Sequence, residues 1–259
     1  MRADAPPAFH LLAKPTGAVC NRDCSYRFFL SKEMLYPGSR FRMADELLET
    51  YVRQLIQAHT GVPLVDVAWQ GGEPTLMGLD FFRRTIELVD RYLETGQRAA
   101  YTIQTNGTKL DRDWAAFFKK HDFLVGISID GPREIHDTYR VTRGGRGSFD
   151  QVMQGLGYLR AGGVDYNVLT TVHAANERRG AEVYRFLRDD CGARFMQFIP
   201  VVERMAAVAA GGEEPWSSWR DRPLYTQDGD VVTSRSVSPV GYGRFLVEVF
   251  EEWVRRYIG

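Results

Sequence analysis

The stretch VDVAWQGGEPTLMGLDFFRRTIELVDRYLE, residues 65–94, decides the fold. Val65–Trp69 is a short apolar run and reads as a buried strand. Gly71, Gly72 and Pro74 break it at once. From Leu79 to Glu94 apolar residues recur at helical spacing. The stripe Phe81, Ile86, Leu88, Val89 and Tyr92 reads as a helix face packed on a sheet. A strand, a tight Gly-rich turn and an amphipathic helix in succession make one βα unit.

Outward from this stretch the same unit repeats. Candidate strands are Ala8–Ala13, Val65–Trp69, Ala100–Gln104, Phe123–Ile129, Asp165–Val172 and Arg194–Ile199. Helical patterns follow at Ala44–His59, Leu79–Glu94, Asp111–Lys120, Phe149–Ala161, Glu177–Asp190 and Tyr242–Tyr257. Six βα units in a row predict an α/β protein with a parallel sheet and right-handed crossovers. The sheet either curls into a partial barrel, short of the eight units of a full one, or stays open and doubly wound. Met205–Ser238 breaks the rhythm. It is rich in Gly, Pro, Ser and charge, and it separates the sixth strand from its helix, as a lid, binding loop or insert does.

The 259 residues suffice for one such domain, and an apolar fraction of 44% allows a sizeable core. Basic and acidic residues balance at 33 each, which gives no electrostatic case for nucleic acid or an anionic membrane as partner. No apolar run approaches a bilayer span, and Met1–Pro7 lacks the apolar segment of a secretory signal, so the expectation is a soluble cytoplasmic protein. Three cysteines, Cys20, Cys24 and Cys191, are too few and too odd a number for a disulfide framework. Cys20 and Cys24, four residues apart, point to metal or redox chemistry. Cys191 reads as a small buried residue.

In a parallel βα fold function gathers where strands end. The unusual residues fall there: Cys20–Arg27 after the first strand, Gln70–Pro74 after the second, Gln104–Gly107 after the third and Ser128–Pro132 after the fourth. Strand five ends near Thr170 and Thr171, and strand six near Gln197 and Pro200. Taken singly, Asn106-Gly107 and Asp130-Gly131-Pro132 are ordinary turn chemistry. Gly144–Gly147 does not follow a strand and reads as a flexible turn, not a phosphate loop. His173 reads as a surface or turn histidine, with a mouth-facing position as the alternative. Together the six strand ends predict a ligand-lined mouth at one rim.

The cysteine loop together with Gly71-Gly72-Glu73-Pro74 resembles the radical S-adenosylmethionine (SAM) superfamily, whose hallmark is CxxxCxxC with an aromatic residue before the third Cys. Cys20, Cys24 and the aromatic Tyr26 match; the third cysteine position holds Arg27. The wider text is similar to the anaerobic sulfatase maturases: Lys14–Cys20, Ala68–Gly78, Gln104–Thr108, Gly126–Pro132, His136–Arg140, Gln197–Arg204 and Ser236–Phe245. The resemblance implies a partial (β/α)6 TIM-like barrel of the radical SAM type over residues 1–259, with a loop insertion at about 205–238. It also implies that the family's C-terminal cysteine-rich (SPASM) domain, with its auxiliary clusters and general base, lies beyond Gly259.

Carried over by position, Cys20 and Cys24 are expected as ligands of a 4Fe–4S cluster whose open iron takes SAM. Tyr26 and Gly72 are expected to contact SAM, with the backbone of Gly71–Glu73 meeting its amino group. Ser128 and Arg140 are expected at its ribose and carboxylate, and Val202 near its adenine. Gln70 is expected to face a substrate peptide, as is Phe29, where the family often has Tyr. The implied chemistry is reductive SAM cleavage to a 5′-deoxyadenosyl radical. That radical takes a hydrogen from Cβ of a Cys or Ser in a sulfatase, and the residue becomes formylglycine. The implied partners are the sulfatase or another peptide and an electron donor such as flavodoxin or ferredoxin. Arg27 cannot stand in for a thiolate, because its guanidinium stays protonated. Turnover is therefore expected to be impaired. Two alternatives stay open: a maturase of another peptide, and a barrel that binds SAM or peptide without catalysis.

Overall fold

The computed structural model describes residues 8–26, 35–36, 38–205 and 231–258. Six strands form one sheet in strict sequence order: β1 (Leu12–Ala13), β2 (Leu64–Trp69), β3 (Arg98–Thr105), β4 (Leu124–Ser128), β5 (Tyr166–Val172) and β6 (Met196–Pro200). Every neighbouring pair is parallel. Consecutive order means no point where the winding reverses, which excludes the doubly wound alternative. β1 and β6 lie at the two ends of the order, so the sheet is an open partial barrel. A small antiparallel ladder, β7 (Arg204–Met205) with β8 (Val231–Val232), follows it.

The helices are α1 (Asp45–Ala58), α2 (Leu79–Tyr92), α3 (Arg112–Lys120), α4 (Arg133–Tyr139), α5 (Phe149–Ala161), α6 (Gly180–Asp189) and α7 (Pro239–Tyr257). Helix α2 buries Phe82, Thr85, Ile86 and Val89 at the i, i+3, i+4, i+7 spacing of one face. Phe82 is wholly buried beside Trp69, Phe81 and Trp114, with ring centroids 5.3–6.0 Å apart in edge-to-face contact. Asp111 starts α3 by accepting from the backbone N–H of Asp113 and Trp114, both at 3.0 Å.

Four expectations need correction. The first strand, expected from Ala8, is only two residues long; as a sheet edge it has one neighbour to hold it. Helix α4 went unread, because seven residues give too little periodicity and the preceding Gly-Pro reads as a turn. Helix α6 begins at Gly180 rather than Glu177, since residues 173–179 form a turn locked by Asn176. Helix α7 begins at Pro239 rather than Tyr242: Ser238 caps it, accepting from Gly241 N–H at 2.9 Å, with Pro at the first position. The expected insertion at 205–238 is bounded by β7 and β8. Residues 206–230 lie outside the described ones, while Thr233 and Ser236 pack back on Glu203. Among the described residues no helix is long and apolar enough to cross a membrane. Phe195 on the β6 side and Phe250 and Tyr257 on α7 are exposed.

Candidate cofactor cavity

The cysteine loop is clamped from two sides. On the β2 side, Gln70, Gly72 and Glu73 donate their backbone N–H groups to the carbonyls of Ala13, Gly17 and Val19, each at 2.9 Å. On the α4 side, Asp23 N–H reaches Val141 O and Ser25 N–H reaches Tyr139 O, both at 3.0 Å. The two contacts hold Cys20 and Cys24 inside the protein, each 1% exposed. The Cys20 sulfur receives Arg22 N–H at 3.4 Å and Asn106 Nδ2 at 3.6 Å. N–H groups aimed at sulfur suit a thiolate. All three cysteines are free. Burial pushes the Cys191 thiol up to about 12, as befits the inert core residue expected.

The double glycine serves this clamp. A Cβ at Gly72 would stand 1.8 Å from the carbonyl oxygen of Val19, so only glycine fits where the two backbones cross. Gly71 has φ +119, outside the range of most L-residues. Glu73 is a pin rather than part of a ligand wall. Its side chain is wholly buried, and Oε1 accepts from Thr75 N–H, the Thr75 hydroxyl and the Thr105 hydroxyl at 2.7–3.1 Å. Oε2 accepts from Asn106 N–H at 2.7 Å. The expected role of Glu73 at the cofactor is thereby corrected. Its N–H is spent on Val19 and its carboxylate ties the ends of β2 and β3 together.

Above the clamp, at the C-terminal ends of the strands, lies a cavity of about 420 Å³, a size that takes a small-molecule ligand. The structure brings Tyr26, Gln70, Gly71, Gly72, Ser128, Arg140 and Val202 together on its wall. Lys14, Asn106, Thr171 and Glu203 also line it. Lys14 and Glu203 sat inside quoted stretches of sequence, but no local pattern marked them as wall residues. Ser128 Oγ accepts from Gln104 Nε2 at 3.1 Å, which fixes both. Glu203 is bonded to Arg235 at 3.0 Å, so the residues after β6 are fixed by the segment that follows β8. Arg27 and Phe29 lie outside the described residues.

Behind this wall is a buried polar group of residues. Asp130 carries a bidentate pair with Arg140, Nε to Oδ2 at 2.8 Å and Nη2 to Oδ1 at 2.9 Å. Burial alone would raise the Asp130 carboxyl; the Arg140 guanidinium overrides it and holds the group well below the usual carboxylate range. Two of the three Arg140 side-chain nitrogens are therefore engaged within the protein. The Tyr26 hydroxyl donates to Asp130 Oδ2 at 2.6 Å, and burial pushes that phenol well up. His136 is buried, and burial followed by the Arg140 charge brings it down to about 3. His173 is wholly buried, which corrects the surface reading: it stacks on Tyr26 at 6.0 Å and meets Tyr139 edge-on at 4.7 Å.

Among the described residues no three metal-ligating side chains gather at one point. The described loop supplies two buried thiols, and the sequence puts Arg27 where a third belongs. The donor set is thus one thiolate short of three.

The sequence profile of the Radical SAM superfamily matches residues 15–187. The chain is 37% identical over 252 residues to the serine-type anaerobic sulfatase-maturating enzyme of Bacteroides thetaiotaomicron, covering 96% of this chain and 58% of that one. It is 35% identical to the cysteine-type enzyme of Clostridium novyi, over 96% of this chain and 60% of that protein. A solved structure of native anSMEcpe with bound AdoMet and a Cp18Cys peptide superposes with a TM-score of 0.78 at 30% identity, over 96% of this chain and 60% of that one. The chain thus spans about three-fifths of the length of the relatives it matches. Sequence profile, relatives and superposed structure agree with the open parallel barrel and its rim loop, and the chain belongs to the radical SAM superfamily.

Proposed function

We propose that this chain is the SAM-binding barrel of a peptide-modifying radical SAM oxidoreductase of the sulfatase-maturase kind, with its cluster site weakened by Arg27. The observation that carries the reading is the cavity itself. It opens at the strand ends directly beside the clamped cysteine loop, and its wall combines Arg140, Lys14 and Glu203 with apolar Val201, Val202 and Ile199. Mixed charge at one part and apolar surface at another suit a zwitterionic amino acid joined to a nucleoside.

In this reading Cys20 and Cys24 are the two thiolates offered to a 4Fe–4S cluster, which would supply the electron that cleaves SAM. Arg140 meets the carboxylate of SAM through its remaining nitrogen, and Ser128 meets the ribose. Backbone carbonyls near Gly71 take the ammonium, since the N–H groups of Gly72 and Glu73 are spent on the cysteine loop. Val202 covers the adenine, and Gln70 faces the peptide. The substrate is a Cys- or Ser-containing segment of a sulfatase, and the electron donor is a flavodoxin or ferredoxin in the cytoplasm. The balanced charge of the chain speaks against nucleic acid as the target.

Arg27 favours a second reading, a barrel that binds SAM or a peptide without turnover. One experiment separates the two. The chain and its Arg27→Cys variant are reconstituted anaerobically with iron and sulfide, and iron content and 5′-deoxyadenosine release are measured. The variant is expected to turn brown with about four irons. The chain as it stands is expected to bind less iron and to release far less 5′-deoxyadenosine. Equal iron and equal SAM cleavage by both would refute the impairment. Failure of both to bind iron would favour the non-catalytic reading.

A further inference from the structure

We propose that Asp130 is the positioning residue of the cavity, holding Arg140 and Tyr26 in the pose that meets the amino-acid end of SAM. This rests on the reading of the cavity as a SAM site. Asp130 is wholly buried and does not itself line the cavity, whereas Arg140 and Tyr26 in front of it both do.

The geometry over-determines this carboxylate. Oδ2 accepts from the Tyr26 hydroxyl at 2.6 Å and from Arg140 Nε at 2.8 Å. Oδ1 accepts from Arg140 Nη2 and from Thr171 N–H, both at 2.9 Å. The backbone is fixed as well: Asp130 N–H points to His136 Nδ1 at 3.4 Å, and Asn176 Nδ2 points to Asp130 O at 3.4 Å. The His136 tautomer follows from its neighbours. The Ser148 hydroxyl gives its one proton to Arg140 O at 2.7 Å, so at 3.0 Å it can only accept from His136 Nε2. That leaves Nδ1 as the acceptor Asp130 N–H needs. One residue at the end of β4 is thereby tied to the cysteine loop, to α4 and its following turn, and to the end of β5.

Stability alone does not account for such an arrangement. A buried ion pair is costly to desolvate, and a well-packed apolar pair often does as well or better. What a bidentate carboxylate supplies is orientation, because the planar guanidinium is held along two parallel bonds. With the fork fixed by Asp130 and by Thr171 Oγ1 at 3.1 Å, the remaining nitrogen of Arg140 is aimed before the ligand arrives. The Tyr26 ring is fixed by the same carboxylate from the other side. The opposite part of the wall, Ile199, Pro200 and Val202, shares none of these bonds.

That asymmetry defines the test. Binding of SAM and of 5′-methylthioadenosine, which keeps the nucleoside but lacks the amino-acid portion, is measured by anaerobic calorimetry on full chains matched for iron content. Asp130→Asn is expected to weaken SAM by about tenfold or more, while 5′-methylthioadenosine stays within about twofold. Tyr26→Phe is expected to weaken SAM alone by about threefold. The double variant should bind no more weakly than Asp130→Asn, because both changes act through one carboxylate. If Asp130→Asn does not fold, Tyr26→Phe and Thr171→Val carry the same comparison, each with a loss confined to SAM. An equal loss on both ligands, or no loss on SAM, overturns the proposal and leaves the cavity reading standing. A wild-type chain that binds neither ligand overturns both.

Discussion

Replacing Gly72 with alanine puts a methyl group 1.8 Å from the carbonyl oxygen of Val19. Real Cβ atoms essentially never come within 3.0 Å of such a neighbour, so going from 1.8 to 3.0 Å the two backbones must part by more than 1 Å. Two hydrogen bonds, Gly72 N–H to Gly17 O and Glu73 N–H to Val19 O, span this crossing at 2.9 Å and do not survive that shift. Their loss costs roughly 1 kcal/mol each, and overpacking adds about 1–3 kcal/mol. The expected destabilisation is about 3–5 kcal/mol, read as a fall in urea midpoint at unchanged slope by far-UV circular dichroism. Because the cysteine loop must move, the Cys20 and Cys24 thiols should also begin to react with a thiol reagent at low denaturant. Gly157→Ala in α5 is the control: its Cβ meets nothing within 4 Å, and it should add about 0.5–1 kcal/mol by relieving helical glycine. A ligand-free Gly72→Ala protein within about 1 kcal/mol of wild type, with both thiols still protected, would refute the reasoning. It would return the glycine requirement to the cofactor.

Acid should act through the buried histidines. His136 is at about 3 in the folded protein against 6.5 as a free side chain, so below pH 6.5 the unfolded chain binds the extra proton. Stability should be flat above that pH and fall by about 2 kcal/mol from His136 alone on going to pH 5, measured by denaturant titration across pH. Asp130 contributes with the opposite chemistry but the same direction: its lowered carboxyl stabilises the fold above the usual carboxylate range, and this is lost only in strong acid. In the core, Phe82→Ala should cost about 3–5 kcal/mol by thermal or chemical unfolding, because its wholly buried ring is packed among Trp69, Phe81 and Trp114. A loss under about 1 kcal/mol would mean that the aromatic cluster had closed over the cavity.

The architecture was legible because it is written in short-range pattern. An apolar strand, a breaking turn and an amphipathic helix are each contained in a few consecutive residues, and handed crossovers leave few ways to assemble six of them. The placement of the functional loops at one rim followed from the same rule. Tyr26, Gln70, Gly71, Gly72, Ser128, Arg140 and Val202 do meet at one cavity. What stayed unread was short or ambiguous: α4, with seven residues, and the Ser238-Pro239 start of α7, hidden after an irregular segment.

The sequence by itself determined a parallel α/β barrel, the rim that bears its ligand, and the two thiols and the arginine that the first rim loop offers. Only the tertiary structure decided what each polar residue does there. Glu73 turned out to pin strand ends, Arg140 to spend most of its fork on Asp130, and His173 to be buried. The physical reason is distance along the chain. Tyr26 and Asp130 are 104 positions apart and Glu73 and Asn106 are 33 apart, yet each pair is hydrogen-bonded inside the protein. Local pattern states that a polar side chain sits at a strand end; whether it faces the ligand or a buried partner depends on which remote donors folding brings beside it.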